Sequence, residues 1–227
     1  MLGTWQVKRL AWKTDILNEI NEARETDPAT RDLNLHYLQN SALIEKQFIR
    51  GHVRGQYRHS LEIMVGPRTH KGIKGYHVIT PFSLIDGGTI LVNRGWVPEE
   101  KKDQNERSNS LTPGIISVYG MARLPEKPNM FVPDNNPDSG NWYSINIKQI
   151  TQHAQLKNVA PYIFYAEKSG ASRRYPIPQD STWEPPNNHL YYAIFWYSMG
   201  LVLFIMYLLR FYGKKSNEPK KDKKEKA

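Results

Sequence analysis

No cysteine occurs anywhere in the 227 residues, which removes disulfides, thiolate nucleophiles, zinc ribbons and Cys-ligated iron–sulfur clusters together. The compartment stays open, because an oxidising space permits disulfides without requiring them. The signatures of catalysis are missing as well. There is no G-x-S-x-G, no H-E-x-x-H, no P-loop and no dinucleotide fingerprint after a strand. The glycines of Gly51–Gly55 and His70–Gly75 lack the strand–turn–helix setting that cradles phosphate. The sequence therefore predicts a binding or structural protein and not an enzyme, and it shows no internal repeat.

Charge is also scarce where a nucleic-acid surface would need it. The net charge is +9, but the excess is concentrated at one end. Arg210 to Ala227 holds eight Lys/Arg against Glu218, Asp222 and Glu225, and the rest of the chain is nearly balanced. A body this close to neutral is not a strong phosphate-binding surface, so no nucleic-acid partner is expected. Mean hydropathy is −0.63, which fits a largely water-soluble globular body.

What the sequence does contain is a stretch with no charge at all. Leu190 to Leu209 (LYYAIFWYSMGLVLFIMYLL) runs twenty residues, about 30 Å of helix and enough to cross a bilayer's hydrocarbon core. Tyr191, Tyr192, Trp196 and Tyr197 cluster at its start, with Tyr207 and Tyr212 near its end, as interfacial aromatic belts do. A buried core helix seldom runs this long without a polar face. The Lys-rich tail places the following residues on the cytoplasmic or matrix side and residues 1–189 on the other. Export of so large a head requires a leading span, so the charge rule favours a first transmembrane segment ahead of Met1 over a tail anchor.

The expected organisation is an N-terminal helix over residues 1–25 that ends this first span, a soluble β-rich domain over 26–188, a transmembrane helix over 189–212 and a Lys-rich tail over 213–227. The clearest element is a hairpin, GYHVITPFSL and TILVNRGWV around Asp86-Gly87-Gly88. Residues 47–66 read as one or two strands, 115–124 and 161–167 as one each, and 142–154 as extended chain passing into a short helix. Prolines make loops of 125–140 and 176–188, and the tail from Ser216 is too polar to pack. The fold class expected is α+β: a small antiparallel, barrel-like β-sheet domain with an N-terminal helix and a C-terminal transmembrane helix.

Seven histidines are possible metal or haem ligands. Six stand singly in polar or strand contexts, where a surface or structural role is the ordinary one. His189 differs, since it follows Asn187-Asn188 in the first turn of the span. Either the asparagines cap the helix and the imidazole solvates the interface, or the ring is an axial ligand to haem iron. The basic loop Pro67–Lys74, with Arg68, reads as a solvated hairpin or as a contact for propionates or anionic head groups. Arg94, in NRGW, pairs with an acid of its own domain or with a partner.

GTWQ (3–6), GYHVITPF (75–82), ILVNRGWVP (90–98), GMARL (120–124), FVPDNNP (131–137) and NNHLYYAIFWY (187–197) together resemble, in order and spacing, the motifs of the Surfeit locus protein 1 family. The resemblance implies two spans flanking a domain in the intermembrane space or periplasm. It implies a role in assembling cytochrome c oxidase, by haem a insertion or by stabilising subunit I. Subunit I, other oxidase subunits or assembly factors, and membrane lipid are then the partners. Haem a is the implied, transiently held cofactor, with His189 as iron ligand and Arg68 and Arg94 as propionate or partner contacts. FVPDNNP resembles eukaryotic members, so the mitochondrial inner membrane is expected, with a bacterial inner membrane as the alternative. A stoichiometric oxidase subunit is the other functional reading, with Trp5, Trp96 and Trp142 as interface anchors, though core packing competes at Trp96.

Overall fold

The computed structural model describes residues 2–40, 46–125, 130–168, 175–180, 182 and 187–212. The Lys-rich tail from 213 onward lies outside them. The chain divides into two compact units, Glu19–Glu184 and a helical one made of Met1–Asn18 with Pro185–Ala227. The helical unit holds most of helix α1 (Leu2–Glu25) and all of α4 (His189–Tyr212). α1 packs a stripe through Gly3, Gln6, Leu10, Lys13, Leu17, Ile20 and Ala23, the three- and four-residue spacing of one helix face. Polar Gln6 and Lys13 sit inside that stripe, which is why apolar residues alone trace it poorly.

The other unit carries six strands: β1 (Phe48–Tyr57), β2 (Ile63–His70), β3 (Ile73–Leu84), β4 (Thr89–Pro98), β5 (Ile116–Arg123) and β6 (Val159–Ala166). Their order is β1-β5-β6-β4-β3-β2, with β1 also pairing β3 through Gly55↔Leu84 and Tyr57↔Phe82. Five strands therefore close into a barrel, and β2 extends the sheet along the first half of β3. The sheet is mixed, because β4 and β6 run parallel. The parallel seam is geometrically forced: in a closed ring of five strands, direction cannot alternate at every pair.

Two packed layers explain the apolar runs. Ile49, Val53, Phe82, Ile90, Val92, Tyr162 and Phe164 fill the barrel, and short α2 (Leu35–Gln39) plugs one side with Leu38. Leu91, from the opposite face of β4, packs with Ile63, Val65, Ile79, Trp142 and Ile150, the last from α3 (Ile147–His153). Every residue of β4 is buried, so its apolar residues stand side by side as Ile90–Val92 and Trp96–Val97 rather than alternating with polar ones. Trp96 and Trp142 are each only 4% exposed. They are core side chains, which corrects their expected role as interface anchors.

Two glycine positions carry geometry. Gly87 and Gly88 take φ of 91° and 85° at the hairpin turn, where a side chain would be strained. Gly95 (φ 122°) marks a bulge where β4 meets the chain leading to α4. Trp96 and Ile177 exchange two backbone hydrogen bonds of 2.7 Å there, and a Cβ on Gly95 would strike the Ile177 carbonyl.

Candidate functional site

The helical unit brings two separated motifs into contact. Nδ1 of His189 lies 2.7 Å from Oε1 of Gln6, and Gln6 is buried in the α1 stripe at 9% exposure. The amide oxygen can only accept, so Nδ1 is the donor and carries a ring hydrogen, which leaves Nε2 as the ring nitrogen facing away from Gln6. A carbonyl partner at one ring nitrogen is what fixes an imidazole's tautomer for metal ligation. Trp5 stands edge-on to the same ring, with centroids 6.2 Å apart and planes at 87°. The hydroxyls of Thr4 and Tyr197 are 3.3 Å apart, and the Tyr197 ring fills the space over Gly3. GTWQ is thus a docking face: Gly3 gives close approach, Thr4 and Gln6 give polar contacts, and Trp5 leaves an aromatic edge, 55% exposed, beside the histidine.

Two turns further along α4, a groove of about 710 Å³ runs over Gly3 and Gly200 between Trp196, Tyr197 and Phe204. Its lining is mostly apolar. The helical unit thus holds an oriented imidazole beside an aromatic edge and, two turns away, a separate groove of largely apolar lining. Asn187 adds a polar atom, since its Oδ1 is buried with no hydrogen-bond partner among the described residues.

Arg68 and Arg94 belong to the barrel unit and share no partner. Arg94 pairs with an acid of its own domain: Nη1 is 3.4 Å from Oε2 of Glu62, Nη2 donates to the Ser110 carbonyl, and the guanidinium lies 4.8 Å over the Tyr57 ring. Arg107 grips the same carboxylate with both Nη atoms and also donates to the carbonyls of Lys101 and Lys102. Burial raises the Tyr57 pKa to about 12, against the opposing pull of Arg94. Burial likewise lowers Arg94 and neighbouring His59. With Glu62 and Arg107 side chains 6% and 2% exposed, this cluster has the character of a lock: it pins the loop after β4 to the barrel wall.

Arg68 donates to the carbonyls of Pro67 (3.0 Å) and Tyr143 (2.9 Å) and is half-buried. Its charge and that of His70, after burial, hold His77 down to a pKa of about 4. His77 accepts from Asn93 Nδ2 at 3.1 Å and is structural. His52, on the Pro28 carbonyl, and His153, against Trp142, are structural too. Among the described residues no group of His, Asp or Glu could hold a metal ion.

Sequence reasoning missed Gln6, Glu62 and Arg107. A polar residue inside a packed helix stripe was the signal for Gln6. Glu62 and Arg107 stand 45 residues apart, and only the closed fold makes them partners.

Comparison with known proteins bears on the whole chain. The model of the SURF1 family matches residues 1–201. The chain is 30% identical over 226 residues to Surfeit locus protein 1 of Homo sapiens, covering 92% of this chain and 73% of that protein. It is 31% identical over 219 residues to the SURF1-like protein of Monosiga brevicollis (91% and 81%) and 29% over 229 residues to Surfeit locus protein 1 of Takifugu rubripes (94% and 92%).

Proposed function

The chain belongs to the SURF1 family, and from that premise we propose that it is a membrane-anchored assembly factor for cytochrome c oxidase, acting on haem a or on the haem-bearing subunit I. One observation carries the finer reading: the contact of Gln6 with His189 gives the imidazole of the motif at the span's start the tautomer an iron ligand needs. His189 would hold the iron of haem a as cargo, Gln6 would keep the ring oriented, and Trp5 would shield its edge. Haem a supplies the redox chemistry only once it sits in the oxidase. The factor's own residues bind, orient and exclude water. α4 is long and apolar enough to cross a membrane, and in this reading it is the anchor. The relatives named above are eukaryotic, which favours the mitochondrial inner membrane, with the barrel in the intermembrane space.

The test is purification of the protein from its own membranes, with absorption spectra for haem a and mass spectrometry of copurifying oxidase subunits. The wild type is expected to carry haem a and subunit I, and His189→Ala to lose the haem while the barrel stays folded. Equal haem in His189→Ala overturns the ligand role. A constant ratio near one per mature oxidase would replace the assembly factor with a resident subunit.

A further inference from the structure

The β2–β3 hairpin ends in a tip unlike the rest of the barrel. Lys71 (φ 50°) and Gly72 (φ 82°) form a two-residue turn with both residues left-handed, closed by His70↔Ile73. Pro67–Gly75 contains Arg68, His70, Lys71 and Lys74 and no acid. Neither lysine has an acidic partner among the described residues, and both are exposed. Ile73, at the very end, is 57% exposed. The base is rigid by contrast. Trp96 Nε1 donates to the Arg68 carbonyl at 3.1 Å, and the His70 ring lies 5.1 Å from the Trp96 ring. Trp96 is in turn tied to Ile177. Eleven residues of chain lie between Ile177 and His189, a covalent reach of at most about 40 Å. Lysines alone would read as protection of an edge strand, but that device does not put an isoleucine at the tip.

We infer that this hairpin is a membrane-surface contact, in which Lys71 and Lys74 meet the phosphates of anionic phospholipids while Ile73 enters the head-group layer. The charge is complementary, the apolar tip is of the size an interface admits, and the partner surface is the one to which α4 tethers the chain. The inference rests on α4 crossing the membrane, as proposed above. Docking would hold the barrel in one orientation at the bilayer, where a membrane-embedded client is met. Neutralising Lys71 and Lys74 together lowers the docked-to-undocked ratio roughly twenty-five-fold, at about fivefold per lysine.

The lack of cysteine makes the test direct. Thr69→Cys, on the exposed side of β2 and cross-strand from Lys74, carries a unique fluorophore on the full chain. The chain is reconstituted in phosphatidylcholine vesicles with or without cardiolipin, and quenching by head-group nitroxides is read. Strong quenching is expected only with cardiolipin. It should fall to the phosphatidylcholine level at high salt and in the Lys71→Gln/Lys74→Gln variant. Resistance to alkaline extraction reports on α4 separately, so a chain that is extracted overturns the anchor. A chain that stays in the membrane with an unquenched tip in both lipids overturns the docking. A label shielded only in native membranes assigns the tip to an acidic protein instead, and likewise overturns it.

Discussion

Glu62 receives two guanidiniums on one carboxylate, so its removal strands two buried cations. Glu62→Gln is expected to cost about 3–5 kcal/mol, read as a lower thermal midpoint of the barrel, and to release residues 99–110 to proteolysis. An unchanged midpoint would mean the cluster is not a lock. His77 carries a pH dependence of definite sign. Its folded pKa is about 4 against an ordinary 6.5, so between these values the unfolded chain holds the extra proton. Its contribution is complete above about pH 6.5 and is lost as pH falls toward 4, by roughly 3 kcal/mol at 1.4 kcal/mol per unit. His59, also lowered, adds in the same direction. Urea midpoints of wild type and His77→Gln should diverge across that window and not above it. At the candidate site, Gln6→Leu removes the partner of His189 Nδ1, for which a 10–100-fold weaker haem affinity is expected, measured by titration against the folded variant. His189 was singled out as a candidate by its place in the first turn of the span. Gln6 was not, because its partner stands 183 residues away and the pairing exists only between two helices.

At the scale of elements, Gly95 shows how β4 serves both the barrel and the chain that leads to α4. Gly95→Ala places a Cβ against the Ile177 carbonyl and in a backbone region costly to any L side chain, about 1–3 kcal/mol. The expected result is faster hydrogen exchange at the Trp96 and Ile177 amides, with the β5 and β6 amides unchanged. Equal protection would separate the bulge from the lead. These elements differed in how openly the sequence carried them. The β3–β4 hairpin announced itself by β-branched runs around Gly87-Gly88, and β5 and β6 by short apolar segments. The parallel seam of β4 and β6 could not be read locally, since it follows from strand number and ring closure. α2 escaped notice because five residues are too few for periodicity to speak. Its signals were Asn34, whose side chain caps the Tyr37 amide at 2.8 Å, and Leu38, which only the closed barrel buries.

For the whole molecule, the division of labour between a barrel and a helix depends on where apolar surface is left uncovered. Of α4's side chains, Ala193 alone is buried, and a run of Leu, Ile, Phe, Met and Tyr is exposed. Twenty-four residues at 1.5 Å each give about 36 Å of helix, longer than the hydrocarbon core by roughly a turn at the ends, where the tyrosines lie. In water such a surface would drive aggregation, a cost that the proposed anchoring of α4 in a bilayer would remove. Val202→Lys with Leu203→Lys puts two charges at the helix centre, each costing about 2.5–3.5 kcal/mol of insertion free energy. Together they shift the insertion equilibrium by three to five orders of magnitude, while Tyr212→Lys, at the interface, should change little. The measurement is the fraction of chain resisting alkaline extraction, with the barrel's thermal midpoint as control. A double variant that stays in the membrane would deny that α4 is the anchor. One that leaves it and also loses the barrel's midpoint would show that the barrel's fold depends on the span.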